Sequence, residues 1–518
     1  MEKNNSFIRA SAVLVASSMA VKILSAAYRV PLTRMLGAYA MGKYSIVFNL
    51  FVPFFALSTA GITPAVSRLA TQMKTHSDCD SLQRLKTKAL ALYVFIGGLL
   101  SLAFIAMGAV YAKNLEENMV LIGAVILAPN LIFGAVDGVY KGLTQGQMDM
   151  LPTAKANIVE SLGKVCLGLG GVFYITRLMD SGDVNLPIQA SFAAITASGL
   201  ICCVYLWWVC RKSGGRGQSQ PVKASQLLDM SIPISMSALA VSVTGFFDTA
   251  VCLPIIDKIP SESLIAAFKG ASFKGAGEIS MFLFGTYQGM VLTVVNLIPA
   301  LLSSVGTVCL PVITRTQAKG NRKALERQAH KLLCTAGAVS VPMCMFTFFF
   351  SMDIIMVLFG TSPSQAVIGS HLIKLLIPCS ALASFTFVFN AIFHAVEKSN
   401  WVLWVLLPSA AIKCALSFVL CQMPMVNIRG FAISTDVFYI VVFALSLMGL
   451  KNTGLAFPFF KALLLPSVIA YCMAVATQIL SKALLMRLPI FLKTAINGTF
   501  FVIGYTILLI LSGFIVDK

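Results

Sequence analysis

The chain has 518 residues, 58% hydrophobic and 11% charged, with a formal net charge of +19. A soluble domain carries about 25% charged residues, so this composition excludes a soluble enzyme and describes an integral membrane protein. The surplus of Lys and Arg falls mostly in alternate short loops, where the positive-inside rule accounts for it, and no nucleic-acid partner is expected.

Apolar runs of about 20 residues, the length of one crossing, recur from end to end with no long polar segment between them. They predict an all-α polytopic fold of about fourteen transmembrane helices. The first six cover about 8–30, 39–65, 88–112, 119–143, 156–178 and 187–210. After a polar break come about 230–256, 278–310, 332–358 and 366–396, and the last four lie near 400–421, 430–450, 460–482 and 490–514. The basic, apolar N-terminus imitates a signal peptide, but Lys22 interrupts it and further spans follow, so an uncleaved first helix is expected.

Basic loops alternate along this train. Arg68, Lys74, Arg84, Lys86 and Lys88 follow span two, Arg211, Lys212, Arg216 and Lys223 follow span six, and a third basic loop from Arg315 to Lys331 follows span eight. With an even span count, both termini are predicted to be cytoplasmic. The segments Ser81–Lys88 and Gly320–Leu333 set Leu against Lys/Arg at helical spacing, which predicts short interfacial helices.

The chain also repeats. Span two ends through Pro64 to Arg68 and span eight through Pro311 to Arg315, while Lys164 in span five has a counterpart in Lys413 in span eleven. Six helices separate the members of each pair, so the repeats share one orientation and imply a pseudo-two-fold axis along the membrane normal, with a substrate site between the halves. The expected division is a six-helix lobe over 1–222, a second over 223–452, and two additional helices over 453–518, the Gly/Ser-rich stretch 211–221 serving as linker.

Cations inside membrane-length helices are costly, about +2.5 to +3.5 kcal/mol for a central Lys or Arg. Lys22 lies within span one, and Arg29 and Arg34 belong to the basic turn after it. An anionic lipid-linked substrate would offset that cost. Asp137 with Lys141 in span four, and Glu160 with Lys164 in span five, are i, i+4 pairs whose members can neutralise each other, so a coupling-ion role competes with a structural one. Asp248 stands alone in span seven, as a coupling-ion ligand or an ion-pair partner. Gln288 and Asn296 in span eight, with Asn390 and His394 in span ten, are polar enough for substrate contact or plain interhelical hydrogen bonding.

Gly134, Gly138, Gly142 and Gly146 recur every fourth residue, a spacing that lets helices approach closely. Gly37-x4-Gly42-Lys43-Tyr44 imitates a phosphate loop in letters, but the motif requires Ser or Thr after the lysine and a preceding strand. Thirteen cysteines show no disulfide framework or metal spacing, and the four histidines are dispersed. No cofactor and no metal are expected.

Arg29-Val-Pro-Leu-Thr-Arg34-Met-Leu-Gly37 with Gly42-Lys-Tyr44, Ser58-Thr-Ala-Gly-Ile-Thr-Pro-Ala-Val-Ser-Arg68, Tyr140-Lys-Gly-Leu-Thr-Gln-Gly146, Phe247-Asp-Thr249 and Val295-Asn-Leu-Ile-Pro299 carry a resemblance in their order and spacing. Together they resemble the polysaccharide-transport and stage V sporulation protein B group of the multidrug/oligosaccharidyl-lipid/polysaccharide exporter superfamily. The resemblance implies two six-helix lobes plus two helices, alternating access around a cationic cavity, and transport of undecaprenyl-diphosphate-linked sugars. It maps cavity roles onto Lys22 and Arg29. This chain departs from its relatives in having Lys at 22, where Arg is common, and Tyr140-Lys141 where an Arg often precedes the glycine.

The function expected is a flippase of the bacterial cytoplasmic membrane for lipid-linked oligosaccharide, a peptidoglycan precursor above all, with use in sporulation as a further expectation. Its candidate substrate contacts are Lys22, Arg29, Arg34, Lys141, Lys164, Gln288, Asn296 and Lys413, with Asp137, Glu160 and Asp248 as coupling-ion or ion-pair residues. No bond is made or broken, so no enzyme is expected. The competing readings are a cation-coupled multidrug exporter and a non-transporting scaffold for cell-wall synthases. A glycosyltransferase would require a large extracytoplasmic loop or domain.

Overall fold

The computed structural model describes residues 2–75, 79–115, 117–178, 183–211, 224–266, 268, 278–318, 322–396, 398–485 and 487–512. Among these residues every regular element is helical. Thirteen stretches are long and apolar enough to cross a membrane. The first, Ala16–Met73, has 58 residues, about 87 Å of helix at 1.5 Å per residue against a hydrocarbon core of about 30 Å.

It holds two crossings. Helix α1 (Glu2–Thr59) is broken at Gly37, whose φ of 76° and ψ of 171° are non-helical. A Cβ there would meet nothing within 4 Å, so glycine serves through its backbone alone, in a region almost closed to other residues. Counting α1 twice gives the fourteen crossings expected.

The chain divides into two compact units, Met1–Val251 and Cys252–Lys518. The first contains α1, α2 (Ile62–Thr75), α3 (Cys79–Leu115), α4 (Asn118–Leu127), α5 (Pro129–Gly146), α6 (Leu151–Leu178), α7 (Asn185–Cys210) and α8 (Ala224–Phe247). Its division from the second falls after Val251, later than the expected boundary at 222/223, because α8 packs on α1, α2 and α3. Gly61 N–H donates to Ser235 Oγ at 3.2 Å, and a Cβ on Gly61 would strike the Ser231 carbonyl. Beyond α8 a π-helical turn, Asp248–Cys252, places Thr249 where its Oγ1 accepts from Asn49 Nδ2 at 2.9 Å and its carbonyl from Tyr111 Oη at 2.8 Å. Residues 212–223, which hold most of the expected linker, lie outside the described residues.

The four-residue glycine stripe of α5 lies against the end of α1 and against α2. Added Cβ atoms would meet Thr59 at Gly134, Ile62 at Gly138, Val66 at Gly142 and Ala70 at Gly146. The packing role read from the spacing is therefore the observed one. The two expected interfacial helices are corrected: residues 81–88 lie in the first turns of α3 and residues 322–333 in those of α13 (Arg322–Phe349), continuous with the membrane helices they precede, while residues 320 and 321 lie outside the described residues. Helical hydrogen bonding continues without interruption from polar into apolar sequence, since residues 81–88 and 322–333 contain neither Gly nor Pro.

The second unit begins with the short helices α9 (Leu253–Asp257), α10 (Ser261–Ala266) and α11 (Ile279–Gly285), followed by α12 (Leu292–Ala318) and α13. A short α14 (Ser351–Phe359), closed by Gly360 at φ 64°, precedes α15 (Pro363–Ala395), α16 (Ser399–Cys421) and α17 (Arg429–Asn452). The last two, α18 (Leu465–Leu484) and α19 (Ile490–Leu511), pack on α13 and α14. Gly337 of α13 receives the backbone of Ala462 so closely that a Cβ would strike its carbonyl, and Lys493 Nζ reaches Asp353 Oδ2 at 3.4 Å. These last two helices are thus packed within the second unit.

Candidate functional site

The residues that sequence reasoning paired in spans four and five form one continuous chain of charge. Lys141 Nζ stands 3.5 Å from Asp137 Oδ2, one turn back on α5, and 3.6 Å from Glu160 Oε2 on α6. Glu160 Oε1 in turn accepts from Lys164 Nζ at 2.6 Å. Helical spacing of four brings each pair onto one face, and Lys141 joins the two helices. The four charges sum to zero, which reduces the cost of holding them in hydrocarbon.

Exposure rises along the chain: the side chains of Asp137, Lys141, Glu160 and Lys164 are 8%, 15%, 23% and 33% exposed. The outer end opens into a cavity of about 140 Å³ between α1 and α6, lined by Ser25, Tyr28, Asn157, Glu160, Ser161 and Lys164 among others. Val21 and Leu24 make much of its wall apolar, with Asn157, Glu160 and Lys164 as polar groups on α6, and its volume would hold roughly four to five water molecules at about 30 Å³ each.

Asp137, Glu160 and Cys202 place one donor atom each within 4.8 Å of one another, close enough for a metal ion. The Lys141 ammonium contacts both carboxylates and already supplies the positive charge at that position. The arrangement is therefore an ion-pair network.

Lys22 and Arg29 are both half-buried on α1. Seven residues separate them, two turns less about 20°, so they share a helical face about 10 Å apart along the axis. That face adjoins the one carrying the cavity-lining Val21, Leu24, Ser25 and Tyr28. Arg34 is exposed near the Gly37 break.

Asp248 is 2% exposed at the start of its π-helical turn. In the second unit, Gln288 is buried within another π-helical turn, Thr286–Val291, while Asn296 on α12 is exposed. Lys413 is 6% exposed on α16. One turn on, Ser417 Oγ and Ser434 Oγ lie 2.7 Å apart and tie α16 to α17. The side chain of Arg315, the expected repeat counterpart of Arg68, lies outside the described residues.

The Gly42-Lys43 look-alike lies inside helix α1. There Lys43 Nζ pairs with Glu117 Oε1 at 2.5 Å and lies over the Tyr39 ring. Sequence reading missed this pair, because the partners are 74 positions apart. It also missed Asp436 on α17, a half-buried carboxylate that accepts a hydrogen bond from the Cys379 thiol, forms no ion pair with a described residue and keeps a buried Oδ1 without a hydrogen-bond partner among them. The available signal was a lone acid in Ile433-Ser-Thr-Asp-Val-Phe438, an apolar setting where an ionisable group is conspicuous.

The sequence pattern of the polysaccharide biosynthesis protein family matches residues 7–317, and that of MatE matches 277–419. Stage V sporulation protein B of Bacillus subtilis (strain 168) is 23% identical over 447 residues, covering 83% of this chain and 80% of its own. Lipid II flippase MurJ of the same organism is 21% identical over 494 residues, with coverage of 93% and 89%. Among solved structures, the inward-facing conformation of a multidrug resistance MATE family transporter of the MOP superfamily superposes with a TM-score of 0.65 at 13% identity, over 86% of this chain and 98% of that one. With fourteen crossings, and with the first of these family patterns running across more than half its length, the chain belongs to the polysaccharide biosynthesis protein family and is a multi-pass membrane protein of the MOP-transporter fold.

Proposed function

We propose that this protein is a flippase that carries polyprenyl-diphosphate-linked oligosaccharide from the inner to the outer leaflet by alternating access. The leading substrate is peptidoglycan precursor lipid II, with spore cortex synthesis as a place of use. One observation carries the reading: Lys22 and Arg29 stand on a shared face of α1, next to the face that lines a cavity containing Glu160 and Lys164, although neither of the two lines it. The relatives named for lipid II flipping and for sporulation support it.

A diphosphate head carries about two negative charges and cannot enter hydrocarbon alone. Lys22 and Arg29, with Lys164, replace its hydration shell, while the polyprenyl tail remains in lipid. Arg29 offers the bidentate fork that suits phosphate, and Lys22 a point charge. Transport of this kind makes and breaks no bond, so the protein is read as a non-enzyme. Both termini are assigned to the cytoplasm on the loop charges, and the parallel repeat accounts for Lys164 and Lys413 as equivalent positions.

The drug-exporter reading would use Asp137, Glu160 and Asp248 as its acidic residues, and the first two are engaged by lysines. The scaffold reading leaves the cations of α1 without purpose. Lys22→Ala and Arg29→Ala, reconstituted in proteoliposomes, are expected to lower lipid II flipping by about 10- to 100-fold each, the cost of one charge-assisted contact. Unchanged flipping in variants that melt like the parent would sink the proposal. Wall growth that continues in cells carrying both substitutions would point to the scaffold.

A further inference from the structure

Glu160 divides its two oxygens between two cations of unequal exposure. Oε1 holds Lys164, which lines the cavity, at 2.6 Å; Oε2 lies 3.6 Å from Lys141, which is more deeply buried and is itself shared with Asp137. The short contact is therefore on the cavity side and the long one on the core side. A carboxylate so placed has a second partner to move to. Shifting toward Lys141 would release Lys164 without leaving Glu160 uncompensated, and the deep half of the network would keep Asp137, Lys141 and Glu160 together.

We infer that Glu160 is an internal counter-anion: it occupies Lys164 when the cavity is empty, and the phosphate of the substrate displaces it toward Lys141. The inference deepens the flippase reading and rests on it. An unfilled cation in hydrocarbon is costly, and so is a displaced carboxylate with nowhere to go. The exchange avoids both, because a phosphate oxygen takes the place of a carboxylate oxygen on Lys164. Binding then becomes a competition between two anions for one ammonium, and a neutral ligand of similar size gains nothing from it. Glu160 thereby acts as a specificity-determining residue that selects for anions strong enough to replace it, while Lys141 is a positioning residue that never touches the ligand.

The test measures binding of inorganic pyrophosphate to the purified full-length protein in detergent, by calorimetry, as a function of salt. Glu160→Gln removes the competing anion and leaves Lys164 and Lys141 in place. Binding is expected to tighten by about tenfold and to become more salt-sensitive, as for an added unpaired cation. Lys164→Gln is expected to weaken binding in the parent and to abolish the gain in Glu160→Gln.

Lys141→Gln takes away the retreat position and is expected to weaken binding, and adding Glu160→Gln to it should restore binding. That rescue is a result a merely structural Lys141 would not produce. Should Lys141→Gln fail to fold, the Glu160→Gln and Lys164→Gln comparison decides alone. If the parent binds and depends on Lys164, but Glu160→Gln binds no more tightly, the counter-anion role is overturned and the flippase reading stands. If neither the parent nor Glu160→Gln binds pyrophosphate, both fall together.

Discussion

At the scale of single residues, charge in this protein is handled in two ways. Lys43, Lys141 and Lys164 are each matched to a carboxylate, whereas Asp436 is left with a sealed, unpartnered Oδ1 and no ion pair among the described residues. Removing one member of an ion pair leaves an uncompensated charge, but neutralising an acid that faces only the Cys379 thiol relieves a cost. Asp436→Asn is accordingly expected to raise stability by on the order of 1 kcal/mol, read as a higher melting midpoint in detergent. A lower midpoint would mean that the carboxylate serves a contact of its own. The i, i+4 pairs were legible in the letters because helical spacing alone brings them together; the Lys141–Glu160 contact was not, since it depends on how α5 meets α6.

At the scale of elements, close backbone approach decides how helices join. Gly337 admits the Ala462 backbone and seats the turn that leads into α18 against α13, and the apolar contacts of Met473, Phe501 and Tyr505 with Phe346 and Phe349 complete that interface. Gly337→Ala is expected to cost roughly 1–3 kcal/mol by overpacking, because a carbonyl cannot swing aside as a side chain would. Gly170→Ala on α6, where an added Cβ meets nothing within 4 Å, should leave the melting midpoint unchanged or slightly raised. Equal effects at the two positions would remove close packing as the reason for Gly337. The α5 stripe could be recognised from its period of four, whereas Gly337 stands in no repeat and its neighbour is 125 positions away.

At the scale of the whole molecule, the proposed cargo is an anion and the membrane potential acts on it. With the inside negative, one charge moved fully outward gains about 2.3 kcal/mol per 100 mV. Collapse of the potential in proteoliposomes is expected to slow flipping several-fold, and a cationic site left empty would return less readily to face inward. If the rate does not change, the drive must come from an ion gradient, and Asp248, buried in its π-helical turn, becomes the residue to substitute next.

The sequence by itself determined that the chain crosses the membrane fourteen times, that its crossings are helices, and which family it resembles. Those properties follow from the length and period of apolar runs, since a backbone in lipid must satisfy its own hydrogen bonds. Only the tertiary structure decided that α8 packs with the first unit, that the last two helices are built into the second, and that four charges of α5 and α6 close into one neutral network. Each of these depends on which helix faces meet, and an apolar helix facing lipid reads the same in letters as one facing a neighbour.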